Sequence, residues 1–167
     1  MKYSLFLDPG LRVCGLALFE GPTLISAWLS KNTSSTRVRG NEAWEAMASA
    51  VVRDWVRRTR RRGALISVLG CEVPQIYRGS KARPDDLIQL AGVVGAVSSA
   101  MPANKRVSFY PRQWKRQVPK DVHNARVLGR LDAGEQRAIE HAGAATHNVV
   151  DAVGIGLFFH GRLVPKR

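Results

Sequence analysis

Tyr3-Ser4-Leu5-Phe6-Leu7-Asp8-Pro9-Gly10 decides how this chain is read. An apolar run of strand length stops on an acid, and Pro-Gly follows as a turn signal. The pattern recurs at Leu65-Ile66-Ser67-Val68-Leu69-Gly70-Cys71, which stops on Glu72. A third acid, Asp151, lies inside Asn148-Val149-Val150-Asp151-Ala152-Val153-Gly154-Ile155-Gly156-Leu157-Phe158-Phe159. Carboxylates are rarely buried unless they are paired or bind metal. Taken alone, Asp8 is an ordinary turn aspartate and Glu72 a partner for an arginine such as Arg78. Their shared strand-end placement is what raises both.

Asp8 and Glu72 are expected at the C-terminal ends of their strands, the edge of an α/β sheet where ligands gather. If the two strands are parallel neighbours, the carboxylates lie side by side. Asp151 needs only the last helix to pass that edge. Clustered carboxylates repel unless a cation intervenes, and hard oxygen ligands select Mg²⁺ or Mn²⁺. Two such ions roughly 3.5–4 Å apart would clamp the attacking and leaving oxygens of a phosphodiester.

The bulk composition agrees. Lys plus Arg number 26 against 13 acids, a net charge of +13 over 167 residues. That excess favours a phosphate-rich partner, since neutralised phosphates release counterions. The length suits a single domain, residues 1–167, with a real core. No stretch is long and apolar enough to span a membrane, so no membrane partner is expected. The first strand begins too early to leave room for a signal peptide. Cys14 and Cys71 lie in apolar strand-like segments and read as buried free thiols of a reducing compartment. A cytoplasmic protein is expected.

Strands are expected over 3–8, 14–20, 23–30, 64–72 and 105–110. Gly21-Pro22 joins the second and third into a meander with the first. A helix from Asn41, a candidate cap, to about Arg62 carries Trp44, Met47, Val51 and Trp55 at helical spacing. Asp85 is a candidate cap for a helix over 86–100. A short helix follows Pro111, and helices cover part of 119–133, about 134–142 and about 146–160. The fold class is α/β, a mixed sheet covered by helices. The helix over 86–100 is rich in small residues, Ala91, Gly92, Gly95, Ala96, Ser98 and Ser99. They mark close approach of another backbone, either the chain's own or that of a second subunit.

Four segments in order now resemble one family. Leu7-Asp8-Pro9-Gly10 with Gly15-Leu16-Ala17 is similar to the first motif of RuvC-type Holliday junction resolvases, of the RNase H-like superfamily. Glu72-Val73-Pro74 resembles the second. Pro111-Arg112-Gln113-Trp114-Lys115 is similar to the basic segment after the fifth strand, and Asn148-Val149-Val150-Asp151-Ala152 to the closing helix. The resemblance covers nearly the whole chain. It implies an RNase H-like five-stranded mixed sheet. It implies a homodimer that nicks four-way or otherwise branched DNA with Mg²⁺ or Mn²⁺, two ions per site, leaving 5′-phosphate ends. The short basic chain points toward a phage source.

The resemblance makes Asp8, Glu72 and Asp151 catalytic metal ligands. The family commonly places Asp or His three residues before the last acid; here that position is Asn148, with His147 before it. Both share a helical face with Asp151, and either could complete the site, His147 as ligand or proton shuttle and Asn148 through its carbonyl oxygen. Lys115 and Lys120 are expected near the scissile phosphate, with Arg112, Arg116, Arg126 and Arg130 adding to the electrostatic footprint. Tyr77 and Arg78 lie in the loop after Glu72, from which resolvases can push an apolar wedge; Ile76 or Tyr77 would serve here. Trp28, Trp44 and Trp55 read as core, and Trp114 as core or a stacking platform. The competing functions are an RNase H-like nuclease on ribosomal RNA precursors and a non-catalytic junction-binding protein. An actin-like ATPase would need two large domains, more than 167 residues supply.

Overall fold

The computed structural model describes residues 2–32, 40–59, 65–76, 83–116, 118–140 and 146–163. Five strands form one mixed sheet: β1 (Tyr3–Asp8), β2 (Val13–Glu20), β3 (Thr23–Lys31), β4 (Ile66–Glu72) and β5 (Ala103–Phe109), in the order β3-β2-β1-β4-β5. β1–β2 and β2–β3 pair antiparallel, the expected meander, while β1–β4 and β4–β5 pair parallel. The helices are α1 (Asn41–Thr59), α2 (Pro84–Ala100), α3 (Pro111–Trp114), α4 (Lys120–Leu128), α5 (Ala133–Arg137) and α6 (Thr146–Phe159). This is the expected α/β class, a mixed five-stranded sheet flanked by helices.

Strand alternation builds two cores, one on each face. Leu5 and Leu7 of β1 join Leu16 and Leu18 of β2 on the face that meets Met47, Val51 and Trp55 of α1 and Val93 and Val97 of α2. Phe6, Ala17 and Phe19 point the other way, toward Trp114, Val127 and the apolar length of α6. Burial on both faces is why β1 reads as a continuous apolar run rather than an alternating one. Among the described residues no helix is long and apolar enough to cross a membrane.

Four local expectations are refined. Asn41 is already helical; Gly40, at φ +66, precedes it and accepts the Trp44 amide at 3.1 Å. Asp85 does not cap α2: the helix starts at Pro84 with Arg83 as the preceding residue, and Asp85 is a first-turn acid. Trp44 is half-buried, with its indole nitrogen on Gln89 Oε1 at 3.0 Å. The helix expected over 134–142 ends at Arg137, because residues 138–140 peel away to cover β3. Ala27 donates to the Ala138 carbonyl and accepts from the Glu140 amide, at 2.9 and 2.8 Å. An otherwise open sheet edge is thereby paired.

The small residues of α2 face two ways. A Cβ on Gly92 would lie 2.2 Å from the Trp44 ring, so that glycine admits the chain's own α1. Gly95 has nothing within 4 Å of the same point; it lines an open groove of about 1090 Å³ between the outer surfaces of α1 and α2.

Candidate active site

Parallel pairing decides the position of the first two acids. Leu7 is opposite Cys71 in the β1–β4 ladder, so the next residues, Asp8 and Glu72, leave the sheet together at its C-terminal edge. On its other side Asp8 pairs with Gly15 of β2. A Cβ on Gly15 would sit 1.9 Å from the Asn148 carbonyl oxygen and 2.8 Å from the Val149 amide nitrogen. The missing side chain is the space into which the first turn of α6 fits. From there α6 carries Asp151 past the same edge, one turn further on. Gly154 and Gly156 repeat the device against Trp114 and Phe19, where a Cβ would lie 2.6 and 2.2 Å from the rings.

Each carboxylate meets a different environment. Asp151 is 8 % exposed. Its Oδ2 accepts from Lys115 Nζ at 2.5 Å, and its Oδ1 faces His123 Nε2 at 3.2 Å. Glu72 Oε2 accepts from the indole nitrogen of the fully buried Trp114 at 3.0 Å. Pro111 opens the short helix that presents Trp114 and Lys115, and the Tyr110 amide is held by Gln113 Oε1 at 2.8 Å.

The crowding sets the direction in which each carboxyl shifts. Burial, then the charges of Glu72 and Asp151, push the Asp8 carboxyl well above its ordinary range, and Lys115 offsets this only in part. Burial pushes Glu72 up to about 7, against the pull of the Lys115 ammonium and the Trp114 hydrogen bond and with the added push of Asp151. Burial works on Asp151 in the same sense, but His123 and Lys115 outweigh it and hold that carboxyl below its usual range. Two carboxylates thus resist ionisation while the third is stabilised as an anion.

The donor set has the chemistry of a hard divalent-cation site: a cation would relieve the repulsion that raises Asp8 and Glu72, and Asp151 Oδ1 is a buried oxygen without a well-formed hydrogen bond. In the present arrangement, however, no three His, Cys, Asp or Glu side chains among the described residues are gathered closely enough to hold a metal ion. Lys115 supplies the cation at Asp151 instead.

The remaining expected residues fall as follows. His147 and Asn148 both lie half-buried in the first turn of α6, which begins at Thr146, and the Asn148 backbone is the part that abuts Gly15. Arg112, Arg116 and Lys120 are exposed along α3 and the start of α4. Arg126 is half-buried, and donates through Nη2 to the Trp114 carbonyl at 3.0 Å. Trp114 is core, not a stacking platform. Ile76 is 71 % exposed beyond Glu72, whereas Tyr77 and Arg78 lie outside the described residues. Sequence reasoning missed His123. The signal was available: His123, Val127 and Leu131 recur every four residues, and all three are buried.

Similarity to known proteins lies in the fold. RuvC of T. thermophilus in complex with a Holliday junction substrate superposes with a TM-score of 0.63 at 19% identity, covering 97% of this chain and 96% of that one. The chain has a RuvC-type fold. A second T. thermophilus RuvC structure gives a TM-score of 0.59 at 19% identity, over 96% and 95% of the two chains. The yeast mitochondrial Holliday junction resolvase Ydc2 gives 0.59 at 10% identity, over 96% and 79%. No family model matches the chain, and no curated protein is recognisably similar to it in sequence.

Proposed function

We propose that the chain is a divalent-metal-dependent endonuclease that nicks four-way DNA junctions, by phosphodiester hydrolysis that leaves 5′-phosphate ends. The observation that carries this reading is the convergence of Asp8, Glu72 and Asp151 at one edge of a RuvC-type sheet. A net charge of +13 supplies the long-range attraction to a polyanion.

In this reading Asp8, Glu72 and Asp151, with Asn148 or His147, would hold two Mg²⁺ or Mn²⁺ ions, which would activate the attacking water and stabilise the leaving oxygen. The chain's own groups prepare that site. Trp114 fixes one oxygen of Glu72 through its indole N–H. Lys115, paired with Asp151, would exchange that carboxylate for a phosphate oxygen when DNA arrives. Arg112, Arg116 and Lys120 line the exposed segment beyond it and would grip the backbone of the arms without reading sequence. Ile76, with Tyr77 and Arg78 after it, would meet the unpaired centre of the junction. A homodimer is part of the proposal: a second copy would seat on the α1/α2 groove at Gly95, so that two related sites make the paired nicks a four-way junction needs.

A second reading is a junction-binding protein without catalysis, favoured by the Lys115–Asp151 pair standing where a cation would be needed. The deciding experiment incubates a labelled four-way junction, a replication fork, a linear duplex and a structured RNA with the protein, with and without Mg²⁺ or Mn²⁺. Metal-dependent, symmetric nicking of the junction is expected. Tight binding without nicking in either metal supports the second reading, and selective cleavage of the RNA contradicts both.

A further inference from the structure

His123 has no place in the chemistry proposed above, yet it is fully buried against it. α4 turns His123 and Val127 inward, and the imidazole packs edge-on to Trp114, with ring centroids 5.0 Å apart at 70°. Its two nitrogens meet different partners. Nδ1 faces Arg126 Nη2 at 3.5 Å, and Nε2 faces Asp151 Oδ1 at 3.2 Å. Both Nε2 and Oδ1 are buried, and neither makes a well-formed hydrogen bond to any group among the described residues, although they lie 3.2 Å apart. Each is therefore the other's one available partner.

The chemistry of the partners sets the tautomer. A guanidinium has donors and no acceptor, so the nitrogen facing Arg126 must carry the lone pair. That leaves the ring proton to Nε2, the nitrogen 3.2 Å from a carboxylate oxygen that lacks a donor. Arg126 is itself anchored, since the same Nη2 donates to the Trp114 carbonyl at 3.0 Å. One string of contacts thus runs from Glu72 through Trp114 and Arg126 to His123 and Asp151.

We propose that His123 is a positioning residue for Asp151: a buried imidazole whose Nε2, turned toward Oδ1 by the packing of Trp114 and Arg126, restrains that oxygen while Lys115 holds Oδ2. When Lys115 leaves for a phosphate, His123 remains and keeps the carboxylate in its orientation. Groups that orient a carboxylate or imidazole in this way are worth about 10–100-fold in affinity or activity. The kinetic consequence rests on the nuclease reading; the tautomer does not.

Two measurements on the full chain test this separately. In protein with ¹⁵N-labelled histidine, long-range ¹H–¹⁵N correlations should show a His123 ring proton on Nε2, and Arg126→Met should weaken that preference. A His123 ring protonated on Nδ1 instead would overturn the proposal whether or not the protein cleaves DNA. In single-turnover nicking with saturating Mn²⁺, His123→Leu should slow cleavage about 10–100-fold with junction affinity unchanged. His123→Gln, whose amide can still donate, should recover most of the rate. Equal rates for the Leu and Gln variants would mean that the ring merely fills space, and would refute the positioning role. If the wild type binds junctions but never nicks them, the nuclease reading fails and the tautomer measurement alone decides this one.

Discussion

Gly15→Ala is the smallest change that should displace the active edge. The new Cβ would lie 1.9 Å from the Asn148 carbonyl oxygen, 2.3 Å from its carbon and 2.8 Å from the Val149 nitrogen. All three atoms are backbone, so no side-chain rotation relieves the overlap. Opening the closest contact to roughly 3.0 Å, the shortest that Cβ atoms show, moves the start of α6 by about 1 Å. Overpacking of this kind costs about 3 kcal/mol, at the upper end of its usual range because the obstacle is main chain. For a chain of this size that corresponds to a fall in Tm of roughly 6–12 °C. Asp151 rides on the displaced helix, and a misplacement of about 1 Å can cost about a hundredfold in rate. Thermal melts followed by single-turnover nicking, below the variant's transition, give both numbers. Junction affinity should change little, because Arg112, Arg116 and Lys120 lie on other elements. An unchanged Tm together with wild-type nicking would show that α6 is not seated on Gly15, and the account of how Asp151 is delivered would be wrong.

Three further outcomes follow from the same geometry. In metal-free protein the Glu72 carboxyl titrates near 7 when folded and near 4.5 when unfolded. A raised folded value means that the stability present below the unfolded value is lost as pH rises through the folded one. Glu72→Gln should therefore be more stable than wild type at pH 8, by on the order of 1–2 kcal/mol after allowance for partial exposure, and should lose that advantage near pH 4; urea melts at the two pH values check it. Arg162 pairs with the buried Glu135 through two contacts, at 2.5 and 2.7 Å, and Glu135 also accepts from the Leu24 amide at 2.9 Å. Arg162→Met leaves that buried carboxylate with the Leu24 and Asp132 amides but no cation, which should cost about 3–5 kcal/mol in denaturant unfolding at pH 7. The wild-type pair, with Glu135 held at about 2, should keep its contribution above pH 4.5 and lose it progressively toward pH 2. Gly95→Leu projects into open groove rather than into the chain's own core, so the fold should survive while sedimentation shows a weakened dimer; a Gly95→Leu protein that remains as dimeric as the wild type would remove this groove from the interface.

The sheet was largely legible because its strands carry their own punctuation. Gly21-Pro22 closes the β2–β3 hairpin, and Asp8 and Glu72 end runs too apolar to be anything but interior strands. The convergence of the two acids followed from one topological assumption, parallel pairing of β1 and β4, which the register supports. What escaped depends on contacts distant in sequence. Nothing local to residues 138–140 says that they leave a helix to cover β3; the partner is Ala27. The four-residue spacing of His123 with Val127 marks it as inward-facing, but nothing local says that it ends beside Asp151. Lys115 shows the same limit: a basic role was legible, but not that its resting partner would be Asp151 rather than phosphate. Gly15 was visible as part of a motif, yet its reason, the backbone of α6, appears only in three dimensions.

The central claim is that Asp8, Glu72 and Asp151 act together in cutting a junction. It is tested most directly by nicking of a labelled four-way junction in Mg²⁺ by wild type and by Asp8→Asn, Glu72→Gln and Asp151→Asn, with binding measured on the same substrate. The account predicts symmetric nicks by the wild type, no cleavage by any of the three variants, and junction binding retained in all of them. Wild-type cleavage by any one of them would take that residue out of the site and contradict the account.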